Sequence, residues 1–471
     1  MLFQYYQSDT KTPSDQVLPT IREPSAFTPF DSTPVDLSAA IPPEQIQQRA
    51  SIHDQTVQEP VFLLKQPSSL ATTATDSVPW QDWLNASNYR DISSAVDTIQ
   101  LALNKHFAPM DRPARTLTDT SSLASLPVDP FQKPLVEGNW KSVALLSLHK
   151  LVSTSLMQID EIQRYLYLRW LALSNLRLSE IAEAEMKTLG FDIEKEDIVS
   201  CFKSKEWFYE AHPGVYANKA GTVISLELRI LLAKWPALKG KSMDGINRLF
   251  TLLFNLKNAS SSDSHSILVV LLTIATLFSS MKDFITSIKV LKSSLEYTSQ
   301  INQQCEIYSL MARCYLHIGD LPSAQSRISQ AETTLFGKDF PLSSSLPVEL
   351  IQHPLSFVLI MNHVLLAIAS DNYPLAHSFL TFLMTTPQNR TINTVNFSIL
   401  ALYCGDLQKA IQNVEQAMND IPTQVYNSHV VFNLATMYDL TERAEGKKRR
   451  VLRELARYGG DCFPIECLKM V

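Results

Sequence analysis

A 34-residue spacing in the C-terminal part of the sequence constrains the fold more than any other feature. The step from Ala376 to Ala410 is 34 residues, and small and apolar residues recur at matching positions of three segments. The recurring residues are Tyr308, Ala312, Tyr315, Gly319, Ala324, Ile328 and Ala331; Ile360, Val364, Ala367, Ala376, Leu380 and Leu383; and Ala401, Gly405, Ala410, Val414, Ala417 and Pro422. A fixed period of this length is typical of a protein built from stacked repeats.

Each repeat is expected to be a helical hairpin of the tetratricopeptide type. Within a segment the apolar residues recur at spacings of three and four, which is typical of a helix with one buried face. Gly319 and Gly405 fall midway, and an Asp follows each of them. Glycine tolerates the left-handed conformation that ends many helices, and Asp accepts hydrogen bonds from the first N–H groups of the next helix. Pro322 and Pro374 suit the first turn of that second helix, where an N–H group would lack a partner anyway.

These observations predict an all-α fold, a tetratricopeptide-like helical-hairpin solenoid over residues 137–471. The small residues at its repeat positions let paired helices approach closely. The structural repeat positions are Ala312, Tyr315, Gly319, Ala324, Ala331, Ala376, Gly405, Ala410 and Ala417. The alternative is an ordinary helical bundle in which the spacing arises by chance.

The N-terminal part of the chain has a different composition. Residues 1–136 hold 15 of the 25 prolines and none of the 12 glycines. Such a composition favours disorder over a packed core. We therefore predict that a largely disordered tail precedes the solenoid. Its first part, 1–78, is acidic and rich in Pro, Ser and Thr, and its second part, 79–136, contains one short amphipathic island.

The island begins with Trp80 and Trp83. The apolar residues that follow at spacings typical of one helix face are Ile92, Val96, Ile99 and Leu103. Two interpretations are open: the island packs on the solenoid, or it docks a partner protein. The first is favoured, because an exposed pair of Trp side chains is costly without a permanent partner.

An aromatic insert near residues 200–221 interrupts the helical pattern. Its candidate partner-contact residues are Trp207, Tyr209, His212 and Tyr216. Either these side chains contact another protein, or they fill the solenoid where two repeats meet irregularly. Both interpretations remain open from the sequence.

A basic run, Lys447-Lys448-Arg449-Arg450, lies near the C-terminus. Such a run is either a nuclear address or phosphate patch, or the solvated face of a helix. The neighbouring apolar residues Val451, Leu452 and Leu455 are spaced to face a core, which favours the helix.

The sequence carries no recognised signature of catalysis. It lacks the motifs of phosphate-binding loops, dinucleotide-binding turns, zinc proteases and nucleophile elbows. His353, His363 and His377 have no Cys or carboxylate nearby at metal-ligand spacing. We therefore predict no enzyme activity, catalytic residue, cofactor or metal site. The net charge of −6 provides no basic footprint, so nucleic acid is not an expected partner.

The chain is expected to be a cytoplasmic protein. Its six cysteines form no Cys-x-x-Cys pair or dense framework, which favours a reducing compartment. Its first residues lack the basic start and apolar run of a secretory signal. The longest apolar run, Ile267–Phe278, is shorter than the roughly 20 residues that span a bilayer.

Two function classes remain, a scaffold subunit of an assembly and a co-chaperone or adaptor that binds a peptide in its concave groove. Asn362 and Asn396 both occupy the sixth repeat position and are candidates to face a groove. The positions that would carry the Lys and Asn of a carboxylate clamp are apolar instead: Met361, Leu365, Val395 and Ile399. Apolar groove residues favour a permanent protein interface.

Several segments outside the repeat consensus resemble one protein family. These segments are Tyr209-Glu210-x-His212-Pro213-x-Val215-Tyr216, Arg229-Ile230-Leu231, Phe432-Asn433-Leu434-x-Thr436-Met437-Tyr438 and Cys467-Leu468-Lys469, beside the repeats Ala312–Ala331 and Ala376–Leu383. Together they resemble the family of subunit twelve of the trafficking protein particle (TRAPP) complex. The resemblance covers about residues 137–471, and the aromatic segment and the chain end are its specific parts.

The resemblance implies a non-catalytic scaffold subunit of a multisubunit vesicle tether. As a whole, such a tether promotes nucleotide exchange on a Rab/Ypt GTPase in endoplasmic reticulum–Golgi transport and in autophagy. The implied partners are other TRAPP subunits and, through them, the GTPase. The implied location is cytoplasmic, with peripheral association to Golgi or early secretory membranes through the complex.

Overall fold

A computed structural model describes residues 85–92, 97–115, 130–154, 159–189, 191, 224–258, 263–337, 355–384 and 390–470. In these ranges every regular element is a helix, and all of them lie in the compact unit Gln58–Val471. Several predicted features lie outside the described residues: the tail 1–78, Trp80 and Trp83, and the aromatic insert near 200–221.

The helices follow one another along the chain with short connections. They are α1 (Thr98–His106), α2 (Gln132–Glu137), α3 (Trp140–Ser153), α4 (Ile159–Asn175), α5 (Ser179–Thr188), α6 (Leu226–Leu238), α7 (Ser242–Asn258), α8 (Ser264–Ser280), α9 (Phe284–Ser294), α10 (Ile301–Ile318), α11 (Leu321–Phe336), α12 (Ser356–Ala369), α13 (Tyr373–Met384), α14 (Arg390–Tyr403), α15 (Leu407–Asp420), α16 (Pro422–Val425), α17 (Ser428–Asp439) and α18 (Ala444–Tyr458). Short 3₁₀ helices cover Ala86–Asn88, Leu295–Tyr297 and Ile465–Leu468.

Most of these helices pack in pairs as hairpins, and each hairpin packs on the next one in sequence. The pairs are α3 with α4, α6 with α7, α8 with α9, α10 with α11, α12 with α13, α14 with α15, and α17 with α18. Packing between sequence neighbours is typical of a solenoid and not of an ordinary bundle. The predicted all-α helical-hairpin solenoid is confirmed.

The turns inside the repeats have the predicted chemistry. Gly319 and Gly405 take the left-handed conformation, with φ of 89° and 83°. The Asp320 carboxylate accepts a hydrogen bond from the Ser323 backbone N–H at 3.1 Å, and Asp406 caps α15 in the same way. Because each cap satisfies an otherwise unpaired N–H group, the two helices of a hairpin are joined with little strain.

The small residues of the repeat lie where the paired helices touch. Ala312, Ala324, Ala331, Ala376 and Ala410 are completely buried, and Ala417 nearly so. Tyr315 is partly buried against the core. A larger side chain at these alanines would separate the helices, so burial explains the residue type at each position.

A buried ion pair fixes residues 89–92 to the first hairpins. The Arg169 guanidinium on α4 donates to the Glu185 carboxylate on α5 at 2.5 and 2.9 Å, and both side chains are fully buried. The same guanidinium donates to the Arg90 carbonyl at 3.0 Å and lies over the Tyr89 ring. Removing one partner of a buried ion pair leaves an uncompensated charge, which is costly, so this N-terminal stretch is part of the core.

Helix α1 is shorter than the sequence pattern suggested. Ile92 lies outside it, although the side chain is buried, and Val96 lies outside the described residues. The helix starts at Thr98 because the Asp97 carboxylate accepts hydrogen bonds from the Ile99 and Gln100 N–H groups. Ile99 and Leu103 are completely buried among residues of α17 and α18. The predicted domain boundary at residue 137 stays a prediction. Ile99 and Leu103, which precede it, pack against residues that follow it.

The basic run lies on α18, and three of its side chains have partners within the chain. Lys448 is buried and donates to the Lys469 carbonyl at 2.9 Å, Arg450 pairs with Glu415 at 2.8 Å, and Lys447 donates to Thr441. The helical placement of this run is confirmed, while its nuclear-address alternative stays untested.

The start of the first hairpin and the end of the last hairpin meet at a contact that we call the seam, formed by Gly138 and Lys141 with Gly460 and Asp461. The Asp461 carboxylate accepts a hydrogen bond from the Lys141 N–H in the first turn of α3 at 2.8 Å. The Asp461 N–H donates to the Gly138 carbonyl at 3.3 Å. The solenoid therefore returns to its own beginning.

Candidate partner interface

The turns inside successive hairpins carry a row of exposed apolar side chains, which we call the turn edge. Its members lie within three residues of a turn and are 36% to 67% exposed: Leu238, Met243, Met281, Ile285, Ile318, Leu375, Leu402, Tyr403 and Leu440. They are nine of the sixteen exposed large apolar side chains in the described part of the chain. Single exposed apolar residues are ordinary, but a row of them on one edge is not.

Ring stacking shows that neighbouring turns lie side by side. The Phe284 ring at the start of α9 stacks on the His317 ring at the end of α10, with centroids 4.6 Å apart. The Tyr373 ring on α13 stacks on the Tyr403 ring at the end of α14, with centroids 6.1 Å apart. Each stack bridges two consecutive hairpins, so the exposed apolar residues beside them share one edge.

Several charged side chains at these turns are bonded within the chain. The Asp283, Asp320 and Asp406 carboxylates each accept a hydrogen bond from a backbone N–H three residues later. Lys239 pairs with Glu183 at 2.7 Å. Because these charges point back toward the helices, apolar atoms contribute much of what the edge presents to a partner.

Two turns of the edge have a geometry that sequence analysis missed. Lys282 and Asp371 take the left-handed conformation that Gly319 and Gly405 take elsewhere, with φ of 64° and 56°. Asp283 and Asn372 follow them and cap the next helices. The repeating signal at four of the turns was a capping residue, Asp283, Asp320, Asn372 or Asp406, with a large apolar residue nearby.

Asn362, predicted to face a groove, lies in the interior. Its side chain is completely buried, and its carbonyl oxygen accepts a hydrogen bond from the Arg313 Nε at 2.9 Å. The bond joins α12 to α10 of the preceding hairpin. A partner contact would require this side chain to become exposed, and its predicted role stays untested.

Asn396 is partly buried on α14, and its amide nitrogen lies 3.6 Å from the Met361 sulfur. The apolar residues at the clamp positions belong to the packing between hairpins. Leu365 is buried, and Met361 and Val395 pack against core clusters. No observation in the described ranges favours a carboxylate clamp. The role of Asn396 in partner contact remains a prediction.

The other predicted contact residues, Trp80, Trp83, Trp207, Tyr209, His212 and Tyr216, lie outside the described residues. Their roles in partner contact remain predictions.

His363 has a structural role in the hairpin packing. Its Nε2 bonds the Glu332 carboxylate on α11, and its ring lies 5.4 Å from the Phe379 ring. His377 lies beside the Phe397 ring, and His353 lies outside the described residues. Within the described ranges, no three His, Cys, Asp or Glu side chains are grouped to hold a metal ion.

Comparison with known proteins finds curated relatives of this chain in human and mouse. The human protein named trafficking protein particle complex subunit 12 is 25% identical over 338 residues, which cover 66% of this chain and 42% of the human protein. The chain is similar to TRAPP subunit 12. The mouse subunit 12 is 25% identical over 337 residues, 66% of this chain and 39% of its own length.

The similarity to subunit 12 is partial in length. This chain spans about two-fifths of the curated relatives it matches. No protein-family model matches the sequence. Within the described residues, no helix is both long and apolar enough to cross a membrane.

Proposed function

We propose that this chain is a non-catalytic scaffold subunit of a TRAPP-type vesicle-tethering complex, and that its turn edge binds other subunits. The similarity to human and mouse subunit 12 supports the type of assembly. The single observation that supports the surface is the row of nine exposed apolar side chains at consecutive turns.

The turn edge suits a permanent interface on physical grounds. The cores of stable interfaces are apolar, and the turn edge supplies large exposed apolar side chains beside carboxylates that are bonded to backbone N–H groups. Its side chains project from the ends of packed helices, so binding orders few flexible groups. A scaffold of stacked hairpins can then present several contact points to more than one neighbour.

The cellular role that we propose rests on the resemblance to the TRAPP subunit-twelve family. The assembly would act in endoplasmic reticulum–Golgi transport and in autophagy, and it would support nucleotide exchange on a Rab/Ypt GTPase. The chain would then be cytoplasmic and reach Golgi or early secretory membranes only through the complex. Trp207 and Tyr216 of the aromatic insert remain proposed contacts with neighbouring subunits.

The test is affinity purification of the tagged chain from its own cells, followed by gel filtration at moderate salt. The wild-type chain is expected in a large particle with other tethering subunits. The double variant Ile285→Asp with Leu402→Asp places two charges on the turn edge, and we expect it to elute at monomer size. Circular dichroism should show unchanged helical content, because both side chains are exposed.

A matched control carries Ile301→Asp with Leu310→Asp, which changes the same residue types at exposed positions outside the turn edge. This control should remain in the particle. Loss of the particle in both double variants would contradict the turn edge as the specific surface. Recovery of wild-type protein with a chaperone, or alone, would contradict the scaffold function and favour the peptide-binding adaptor.

A further inference from the structure

Residues 97–115 bind the end of the solenoid with contacts that reach far along the sequence. The Thr98 hydroxyl donates to the Phe463 carbonyl at 2.8 Å and to the Asp461 carbonyl at 3.2 Å. These bonds join residues more than 360 positions apart. Ile99 and Leu103, on the same helix, are completely buried in the core of the last hairpin.

Arg115 secures the other end of this segment. Its Nε donates to the Asp97 carboxylate at 2.7 Å, and one terminal nitrogen lies 3.9 Å from the Asp461 carboxylate. Another donates to the Leu455 and Ala456 carbonyls at 3.4 and 3.2 Å, near the end of α18. A positive charge is favourable there, because the unpaired carbonyls of a helix C-terminus carry partial negative charge.

Asp461 connects this segment to the start of the solenoid. Its carboxylate faces Arg115 and Asp97 on one side and accepts the Lys141 N–H on the other. Burial raises the pKa of this carboxyl, the nearby Asp97 raises it further, and the Lys141 hydrogen bond and Arg115 charge oppose that rise. One side chain thus contacts both α3 and the N-terminal segment.

Adjacent glycines make room for the two contacts separately. A Cβ atom on Gly459 would lie 2.5 Å from the Ile99 side chain. A Cβ atom on Gly460 would lie 2.4 Å from the Gly138 carbonyl oxygen. Because Gly459 has no side chain, Ile99 of the N-terminal segment can pack against it. Because Gly460 has none, the Gly138 backbone can approach it at the seam.

We propose that residues 97–115 are a clasp, a conformational device that holds the first and last hairpins together, and that its release opens the seam. The seam includes the Asp461 carboxylate bond to the Lys141 N–H and the Asp461 N–H bond to the Gly138 carbonyl, whereas the clasp adds a buried helix face and a shared ion cluster. Releasing the clasp would uncover the apolar face of α18 beneath α1. The closed solenoid is then one of two states, and the clasp sets their ratio.

The test is hydrogen–deuterium exchange of the full chain, read by peptide mass spectrometry. Leu103→Ala removes a completely buried side chain of the clasp, and Leu101→Ala removes an exposed one from the same helix. We expect at least tenfold faster exchange in peptides covering 139–146 and 451–468 for Leu103→Ala only. Peptides covering 264–336, in the middle of the solenoid, should exchange as in the wild type.

Faster exchange confined to 97–115 itself would overturn the proposal, since it would show that the seam holds without the clasp. If Leu103→Ala accelerates exchange throughout the chain, the same measurement on Thr98→Val decides the question. This substitution removes one hydroxyl and keeps the side-chain shape. Faster exchange of both end peptides in Thr98→Val, with the middle unchanged, supports the clasp. Unchanged end peptides in Thr98→Val overturn it.

Discussion

The turn edge and the seam both form where helices end, but they differ in the sequence separation of their bonded residues and in which side chains they bury. At the turn edge, a bond such as that of Asp406 with the Lys409 N–H joins residues three apart. At the seam, Asp461 bonds the Lys141 N–H across 320 positions. The turn edge leaves its apolar groups exposed, whereas the clasp and seam bury a carboxylate and an arginine.

This difference separates the surface available to partners from the contacts that maintain the shape of the solenoid. Each turn depends only on its own hairpin, so a change there remains local. The seam depends on both ends of the solenoid being in place, so a change there affects two hairpins that are far apart in the sequence. Substitutions at the two regions should therefore have different consequences.

The difference between the turn edge and the seam should be largest in the reactivity of their cysteines. Burial raises the pKa of Cys467, beside the seam, to about 12, and the nearby Glu466 charge adds to the rise. A raised pKa leaves less thiolate at a given pH, so at pH 8 its thiolate fraction should be roughly a thousandfold below that of an ordinary thiol. Cys404, on the turn edge, is exposed. Maleimide labelling with peptide mapping should modify Cys404 faster than Cys467.

The same labelling reports on seam opening. Cys467 should become labelled faster when the clasp variant Leu103→Ala opens the end of the solenoid, while the Cys404 rate should not change. Equal labelling of both cysteines in the wild-type chain would show that the seam region is open in solution.

Adding a methyl group at the seam should have the next largest effect, a loss of stability. Gly460→Ala would push a Cβ atom against the Gly138 carbonyl oxygen, and backbone on both sides leaves little room to adjust. We expect a loss of about 2 kcal/mol in the free energy of unfolding, measured by urea denaturation. Gly446, in the first turns of α18, has no atom within 4 Å of an added Cβ. Gly446→Ala should therefore stabilise the chain by about 0.5–1 kcal/mol.

A loss at both glycines would show that an added methyl group is not tolerated at either end of α18, and the seam would then not be special. A neutral Gly460→Ala would mean that the backbone of the two ends moves apart at little cost, which contradicts a tightly closed seam.

The difference between local and distant contacts also explains what the sequence could predict. Gly-Asp pairs at 319–320 and 405–406 act through neighbours, so their turns were predicted and are confirmed. The turns at Lys282 and Asp371 were missed, because a non-glycine residue takes the left-handed position. The seam joins residues that are far apart in the chain, so it leaves no short-range pattern in the sequence. Its one trace is that Gly459 and Gly460 are the only adjacent pair among the 12 glycines.

The candidate interface was harder to predict than the fold. The sequence analysis selected Asn362 from its repeat position, but that position faces the preceding hairpin and the side chain is buried. Leu402 and Tyr403 were not selected, since an apolar residue in a helix is expected to face the core. Only the position of a turn, and not helical periodicity, shows that such a residue is exposed.

Loss of one helix cap should have a smaller, local effect. Asp406→Ala leaves the Lys409 N–H without its partner, and we expect a loss of about 1 kcal/mol in unfolding free energy. Asp420, at the other end of α15, is exposed at a helix C-terminus, where a negative charge is unfavourable. Asp420→Ala should be neutral or slightly stabilising. Equal losses at both positions would show that the capping bond is not the cause.

An exposed apolar residue of the turn edge should contribute least to stability. Leu440 is 67% exposed at the end of α17, and Leu434 is buried in the same helix. Leu440→Ser should change the unfolding free energy by no more than about 0.5 kcal/mol, because little area leaves water at this position on folding. Leu434→Ala should cost about 2–5 kcal/mol. If Leu440→Ser destabilised the isolated chain as strongly as Leu434→Ala, the turn edge would be part of the core, and its exposed residues would not be free to bind another subunit.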